Sequence, residues 1–145
     1  MSRSVHTAIG EYLVLAELLK RDHEVYLAHG PTQTEWDIVK CTANGVKRIQ
    51  VKTISWPKRR TVNLNPVTEY DYLVIVLLNK PTTPNEIRNS FFLIIPADQI
   101  APLLSPYNAK RQNKQRTIYI SSILSDIQTS NLGIHLNNWN CILTE

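Results

Sequence analysis

The sequence predicts an α/β fold, a mixed central sheet flanked by helices, on three observations. Apolar residues near the N-terminus recur at helical spacing, an Asn44-Gly45 step separates two alternating segments, and Tyr72 to Leu78 is an unbroken apolar run. Such a run is expected of a strand covered on both faces, which requires layers above and below the sheet. The 145 residues are expected to form a single domain, 1–145, long enough to bury a real core.

Ser2 or Ser4 can cap a first helix that runs to about Arg21, with Val5, Ala8, Tyr12, Leu15 and Leu19 as its apolar stripe. His23 to Ala28 alternates enough for a strand, and Gly30-Pro31-Thr32 signals a loop. Trp36 to Thr42 reads as a second strand. Asn44-Gly45 then supplies the two central residues of a hairpin turn, where both positions want positive φ. The third strand contains Arg-Ile-Gln-Val-Lys-Thr, residues 48–53. Its alternation sends Ile49, Val51 and Thr53 to one face and Gln50 and Lys52 to the other. Pro57 to Pro66 and Lys80 to Asn89 read as loops, and Ser90 to Ile95 as another strand. A short helix is expected to start at Pro96 and stop near Pro106. Thr117 to Ser121 resembles a strand, and the ambiguous C-terminal segment suggests a helix around Leu132 to Cys141.

Composition narrows the function. A 43% apolar and 19% charged sequence is globular in profile. No apolar run approaches the roughly 20 residues that span a bilayer, and without an N-terminal apolar stretch followed by a small-residue cleavage site no secretory signal is expected. Cys41 and Cys141 stand apart, with neither zinc-ligand spacing nor a disulfide framework, which fits a reduced, cytoplasmic protein. The net charge of +4 is modest but unevenly placed. Lys47, Arg48, Lys52, Lys58, Arg59 and Arg60 form one acid-free stretch; Lys110, Arg111, Lys114 and Arg116 form another. Either run alone reads equally well as a solvated loop. Together, interleaved with Trp, Tyr, Asn and Gln, they favour a polyanionic partner.

Two acids are out of place. Glu11 falls inside the apolar arc of the first helix, between Leu15 and Leu18, where a carboxylate is costly unless paired with a cation or metal. The competing reading is a Glu at the stripe's edge or one salt-bridged to a core Lys. Asp37 opens a strand, where Asp is disfavoured. Hairpin pairing around Asn44-Gly45 sets it opposite Lys52, so a carboxylate, the Gln50 carboxamide and an ammonium meet in one patch. A structural Asp–Lys cross-strand ion pair is the alternative.

Glu11 on the first helix, Asp37 on a strand and Gln50-Val51-Lys52 on the next strand resemble the core of the PD-(D/E)XK nuclease superfamily. Within it, the pattern GEYLVLAELLKRDHEVY…WDIV…IQVKT is most similar to the small group I intron homing endonucleases, and similar also to Holliday-junction resolvases. The resemblance covers about the first 55 residues, and residues 71 to 105 complete its αβ part. It implies a restriction-endonuclease-like αβββαβ core with C-terminal DNA-binding or oligomerisation elements. It further implies a magnesium-dependent endodeoxyribonuclease with Glu11, Asp37, Gln50 and Lys52 as catalytic residues. Asp37, Gln50 and Glu11 would hold Mg²⁺, with Mn²⁺ able to substitute. Two departures stand out: Trp36, not Pro, precedes Asp37, and Gln50 replaces the usual acid, which removes a charge from the metal site while keeping a carbonyl ligand.

The partner expected on this reading is double-stranded DNA, held by Lys58, Arg59, Arg60, Lys110, Arg111, Lys114 and Arg116. One site cuts one strand, so a double-strand cut implies a homodimer or tetramer. Rival readings are a resolvase or restriction-type nuclease, a non-catalytic DNA binder on the same fold, and an RNA-processing nuclease in which Tyr107, Tyr119 and Trp56 stack on bases. His6, His23, His29 and His135 lack ligand spacing; Glu69 and Asp71 suit a strand start, and Trp139 suits packing.

Overall fold

The computed structural model describes residues 5–28, 36–66, 69–106, 110 and 114–143. Its elements are α1 (Val5–Lys20), β1 (Val25–Leu27), β2 (Ile38–Thr42), β3 (Gly45–Ser55), β4 (Thr61–Leu64), β5 (Tyr72–Leu78), β6 (Phe91–Pro96), β7 (Arg116–Tyr119), α2 (Leu124–Thr129) and α3 (Asn140–Leu143). Ser2, Ser4 and the Gly30-Pro31-Thr32 loop signal lie outside the described residues.

A five-stranded mixed sheet in the order β1-β2-β3-β5-β6 is the centre of the fold. β3 and β5 run parallel and the other neighbours are antiparallel. As the unbroken apolar run requires, β5 is covered on both sides: Leu73, Val74, Ile75, Val76 and Leu77 are fully buried. On one face Val74, Val76, Ile49 and Val51 meet Val14 and Leu18 of α1 and Ile142 of α3. On the other face Leu73, Ile75, Leu77 and Ile54 meet Val62, Leu64, Ile118 and Ile127. That second layer is a separate two-stranded sheet, β4 with β7, backed by α2. Lys40 is buried, and its ammonium donates to the Ile142 carbonyl at 2.6 Å, tying α3 to β2.

Several expectations need correction. The helix does not pack through Val5, Tyr12 and Leu19, which are exposed, but through Gly10, Glu11, Val14 and Leu18, with Ala8 and Leu15 half-buried. The helix is apolar around most of its circumference, so periodicity alone does not select a side. Close approach does: a Cβ at Gly10 would lie 1.7 Å from Thr53 Oγ1, so only glycine lets α1 settle onto β3. The hairpin loop is Ala43-Asn44, because Thr42 already pairs with Gly45. Thr42 Oγ1 accepts the Asn44 N–H at 3.2 Å and donates to the Gly45 carbonyl at 3.0 Å, closing the turn one residue early, with Gly45 at φ 131°. Asp37 consequently lies level with Gln50, not Lys52. A shift of two in the pairing leaves every side chain on its expected face.

The stretch 57–66 is not all loop, because Thr61–Leu64 pairs with Arg116–Tyr119. The chain therefore passes from β3 to parallel β5 by way of β4. The helix expected after Pro96 is two 3₁₀ turns, Ala97–Gln99 and Ala101–Leu103. The helix expected around Leu132 to Cys141 is instead a 3₁₀ turn at Gly133–His135 and the short α3, and α2 precedes it where no helix is expected. Trp139 packs in the core, and Asp71 serves the start of β5 by accepting the Arg48 N–H at 2.8 Å.

Two predictions follow from this packing. Gly10→Ala should cost about 1–3 kcal/mol in urea denaturation, the usual range for overpacking, with Thr53→Ala in the same chain recovering part of the loss. His135 is 3% exposed, and burial lowers its pKa against a smaller raising effect of its hydrogen bond to the Ile94 backbone. The folded protein therefore binds this proton less readily than the unfolded chain. Stability should be intact above the unfolded value of about 6.5 and fall as the pH drops below it. In melts between pH 7.5 and 5, His135→Gln should show a shallower slope than wild type.

Candidate functional site

The site begins where β2 parts from β3. Their paired register ends at Ile38 opposite Ile49. One residue upstream, the Asp37 N–H donates to the Ile49 carbonyl at 2.8 Å, and Asp37 Oδ2 accepts the Val51 N–H at 2.8 Å. The carboxylate thus takes the place that a carbonyl of a continuing β2 would occupy. It sits at the fork of the sheet, half-buried and level with the middle of β3. An ionised carboxylate accepts several hydrogen bonds at its two oxygens, and the bond from Val51 is one of them.

Gln50 and Lys52 are held by the pairing of β3 with β5, Gln50 beside Leu73 and Lys52 beside Ile75. That register puts both on the face opposite Val51, and both are half-buried. The structure shows no side-chain hydrogen bond or ion pair for either among the described residues. A half-buried ammonium beside a carboxamide, with neither paired inside the protein, suits groups that meet an external ligand.

Glu11 is only 2% exposed, as its place on the helix predicts. It reaches the sheet from the α1 side, the side of Ile49, Val51 and Thr53. The structure therefore sets Asp37 level with Gln50 where β2 leaves β3, puts Gln50 and Lys52 on one face, and sets Glu11 in the layer across from Gln50 and Lys52. Asp37, in the gap between β2 and β3, borders both.

Among the described residues no three His, Cys, Asp or Glu side chains gather into a cage for an ion. A donor set of one or two carboxylates and a carbonyl suits Mg²⁺, which keeps several waters and completes its shell with substrate phosphate. Asp37 and Gln50 fit that description.

Cations occupy two segments on either side of the β4–β7 pair. Lys58, Arg59 and Arg60 are exposed in the connection from β3 to β4, and Lys110 and Lys114 are exposed near β7. Arg116 is half-buried, its Nε donating to the Ser105 carbonyl at 2.8 Å. Arg111 lies outside the described residues, as does Tyr107. Lys80, exposed after β5, adds a further cation, and His6 lies close to it without a signal in the sequence. His6 stands within 3.5 Å of Ser55 at the end of β3, and its pKa is lowered by burial, by Lys80 and by Arg59. No sequence signal links these residues, since α1, β3 and the segment after β5 meet only in the fold. Trp56 is no base-stacking candidate: it is 8% exposed and its Nε1 donates to the Ser121 carbonyl.

The Asp37–Val51 bond separates structure from chemistry. Asp37→Ala should cost about 1–2 kcal/mol of stability by orphaning a strand N–H. Asp37→Asn keeps an acceptor oxygen and should lose clearly less in the same denaturation experiment.

Neither a family model nor a curated protein matches the sequence. Among solved structures, the chain is similar to the bacterial homing endonuclease I-Ssp6803I, with a TM-score of 0.62 and 16% identity, covering 98% of this chain and 91% of the other. It is also similar to Hjc, a Holliday junction resolvase from the archaeal hyperthermophile Archaeoglobus fulgidus, with a TM-score of 0.46 and 16% identity over 78% of this chain and 83% of the other. The chain has the restriction-endonuclease-like α/β fold, shared along nearly its whole length with a homing endonuclease.

Proposed function

We propose that the protein is a metal-dependent endonuclease that hydrolyses phosphodiester bonds in double-stranded DNA, acting as a site-specific homing endonuclease. The observation that carries this reading is the fork itself. Asp37, Gln50 and Lys52 lie where β2 leaves β3, the last two unpaired within the described residues, on the strand that leads into the basic segment 58–60. The fold likeness to a homing endonuclease supports it. On this reading residues 1–145 act as one nuclease domain, with the C-terminal part serving DNA binding or assembly.

A phosphodiester resists attack because its oxygens already carry negative charge. Mg²⁺ or Mn²⁺ held by Asp37, the Gln50 carbonyl and, across the fork, Glu11 would neutralise that charge and acidify water. Asp37 is positioned for this by the Val51 N–H, which fixes one of its oxygens at the fork. Lys52 supplies a point charge and three donors, placing the attacking water and stabilising charge on the phosphoryl oxygens. Lys58, Arg59, Arg60, Lys110, Arg111, Lys114 and Arg116 hold backbone phosphates. One site cuts one strand, so a double-strand break requires a homodimer or tetramer. The two free cysteines suit a reduced, cytoplasmic setting.

A second reading is a DNA-binding protein on the same fold with a lapsed site. It is favoured by Gln50 in place of an acid and by Glu11 in the opposite layer.

The test is cleavage of supercoiled plasmids, including some that carry intron-insertion sequences, and of four-way junctions with Mg²⁺. Wild type should give discrete products, with Lys52→Ala and Asp37→Asn slower by about 100-fold or more while duplex binding persists. Equal activity in all three proteins would refute the assignment. The assembly is tested separately: sedimentation of the active protein should show at least two copies, and a monomer making double-strand breaks would rule that out.

A further inference from the structure

The two acid-free segments, far apart in sequence, form one ribbon. Pairing sets Thr61 beside Tyr119, Val62 beside Ile118, Asn63 beside Thr117 and Leu64 beside Arg116. No acid occurs between Asp37 and Glu69 or between Asp98 and Asp126, so both strands and all their flanks lack negative charge. One face, through Val62, Leu64 and Ile118, packs on the sheet face that also carries Gln50 and Lys52. The other face is polar and largely exposed: Thr61 and Asn63 are exposed and Tyr119 is 66% exposed, while Thr117, the fourth residue of that face, is buried.

The cations stand at the ribbon's ends. Lys58, Arg59 and Arg60 lead into β4, where the Ile120 N–H donates to the Arg60 carbonyl at 2.8 Å, and Lys80 adds its charge near Arg59 beside His6. Lys114 and Arg116 lie at the far end, where Gln115 donates to Asn65 Oδ1 at 2.9 Å. Four paired residues at about 3.3 Å each span roughly 13 Å, about four base pairs at 3.4 Å. The major groove, about 12 Å wide, admits a two-stranded ribbon. Cationic ends with an uncharged polar middle match phosphates flanking a row of base edges.

We infer that the β4–β7 ribbon is the sequence-reading element, entering the major groove of duplex DNA with Asn63 and Tyr119 on base edges and the terminal cations on phosphates. This rests on the nuclease reading above and assigns its specificity. Asn63 has a defined part: Thr117 Oγ1 donates to its Oδ1 at 2.7 Å, leaving its amide N–H groups for a base acceptor such as guanine O6 or N7 or thymine O4. Ser105 braces the far strand, its N–H donating to the Thr117 carbonyl at 2.8 Å and its Oγ accepting the Thr117 N–H at 3.0 Å.

The test uses a duplex pool with a 25-base-pair random core, selected by wild-type protein without divalent ion so that nothing is cut. Affinities for the enriched and the starting duplexes are then compared for Asn63→Ala, Tyr119→Ala, Tyr119→Phe, Arg60→Ala and Lys114→Ala, with thermal melting as a folding check. Asn63→Ala and Tyr119→Ala should each lower the enriched-to-random ratio about tenfold or more, leaving the salt slope unchanged. Tyr119→Phe, which removes only an exposed hydroxyl, should lower the ratio in the same direction. Arg60→Ala and Lys114→Ala should weaken both duplexes alike and reduce the salt slope by about one each. Face variants that fold and keep the ratio, or a wild type that enriches no sequence, would overturn the ribbon assignment while leaving the nuclease reading intact. A wild type that prefers single-stranded RNA to duplex DNA, or binds no duplex, would overturn both.

Discussion

One hydrogen bond sets the geometry of the candidate site, the 2.8 Å contact from the Val51 N–H to Asp37 Oδ2. β3 is paired along most of one edge with β5, but β2 accompanies its other edge only as far as Ile49. Beyond that point β3 would present an unpaired N–H to the gap. The Asp37 side chain fills the missing position, and in doing so a carboxylate is carried into the sheet at the level of Gln50. A strand end and a charged group are thus solved together. Parallel pairing with a fully buried β5 then keeps Gln50 and Lys52 from turning away, since a one-residue slip would send Ile49 and Val51 out of the core.

The same constraint explains the division of labour across the sheet. The α1 face is apolar and closely fitted, down to the contact of Gly10 with Thr53. The opposite face carries the polar pair and, beside it, the β4–β7 ribbon with its cations. Thr53 Oγ1 is buried without a hydrogen-bond partner, which marks where fit to the helix has outweighed polar satisfaction. Glu11, 2% exposed, lies on this tightly packed side.

How much was legible in the sequence depended on how local the deciding physics was. The alternation of residues 48–53 and the apolar run of β5 are strong signals, because burial on a fixed period leaves few choices. Glu11 was legible for the same reason. The packing side of α1 was not, because Ile9, Leu13, Val14, Leu15 and Leu18 spread apolar surface almost around the helix, and a glycine contact with another element decides it. The turn forms one residue earlier than Asn44-Gly45 predicts, since the Thr42 side chain closes it. β4 was hidden: Thr61-Val62-Asn63-Leu64 alternates, but prolines bracket it and its partner lies more than fifty residues away. Of the site, the face shared by Gln50 and Lys52 survived the register error because that error was an even number of residues. The Asp37–Val51 bond, which depends on the true register, could not be seen beforehand.

The most direct measurement is the electron paramagnetic resonance of Mn²⁺ titrated into the protein with a duplex it binds, comparing wild type with Asp37→Asn. The account predicts that wild type holds the ion and that Asp37→Asn, still folded and still bound to DNA, releases it. Mn²⁺ held equally by both proteins, or by neither, would contradict a metal-dependent site at the fork.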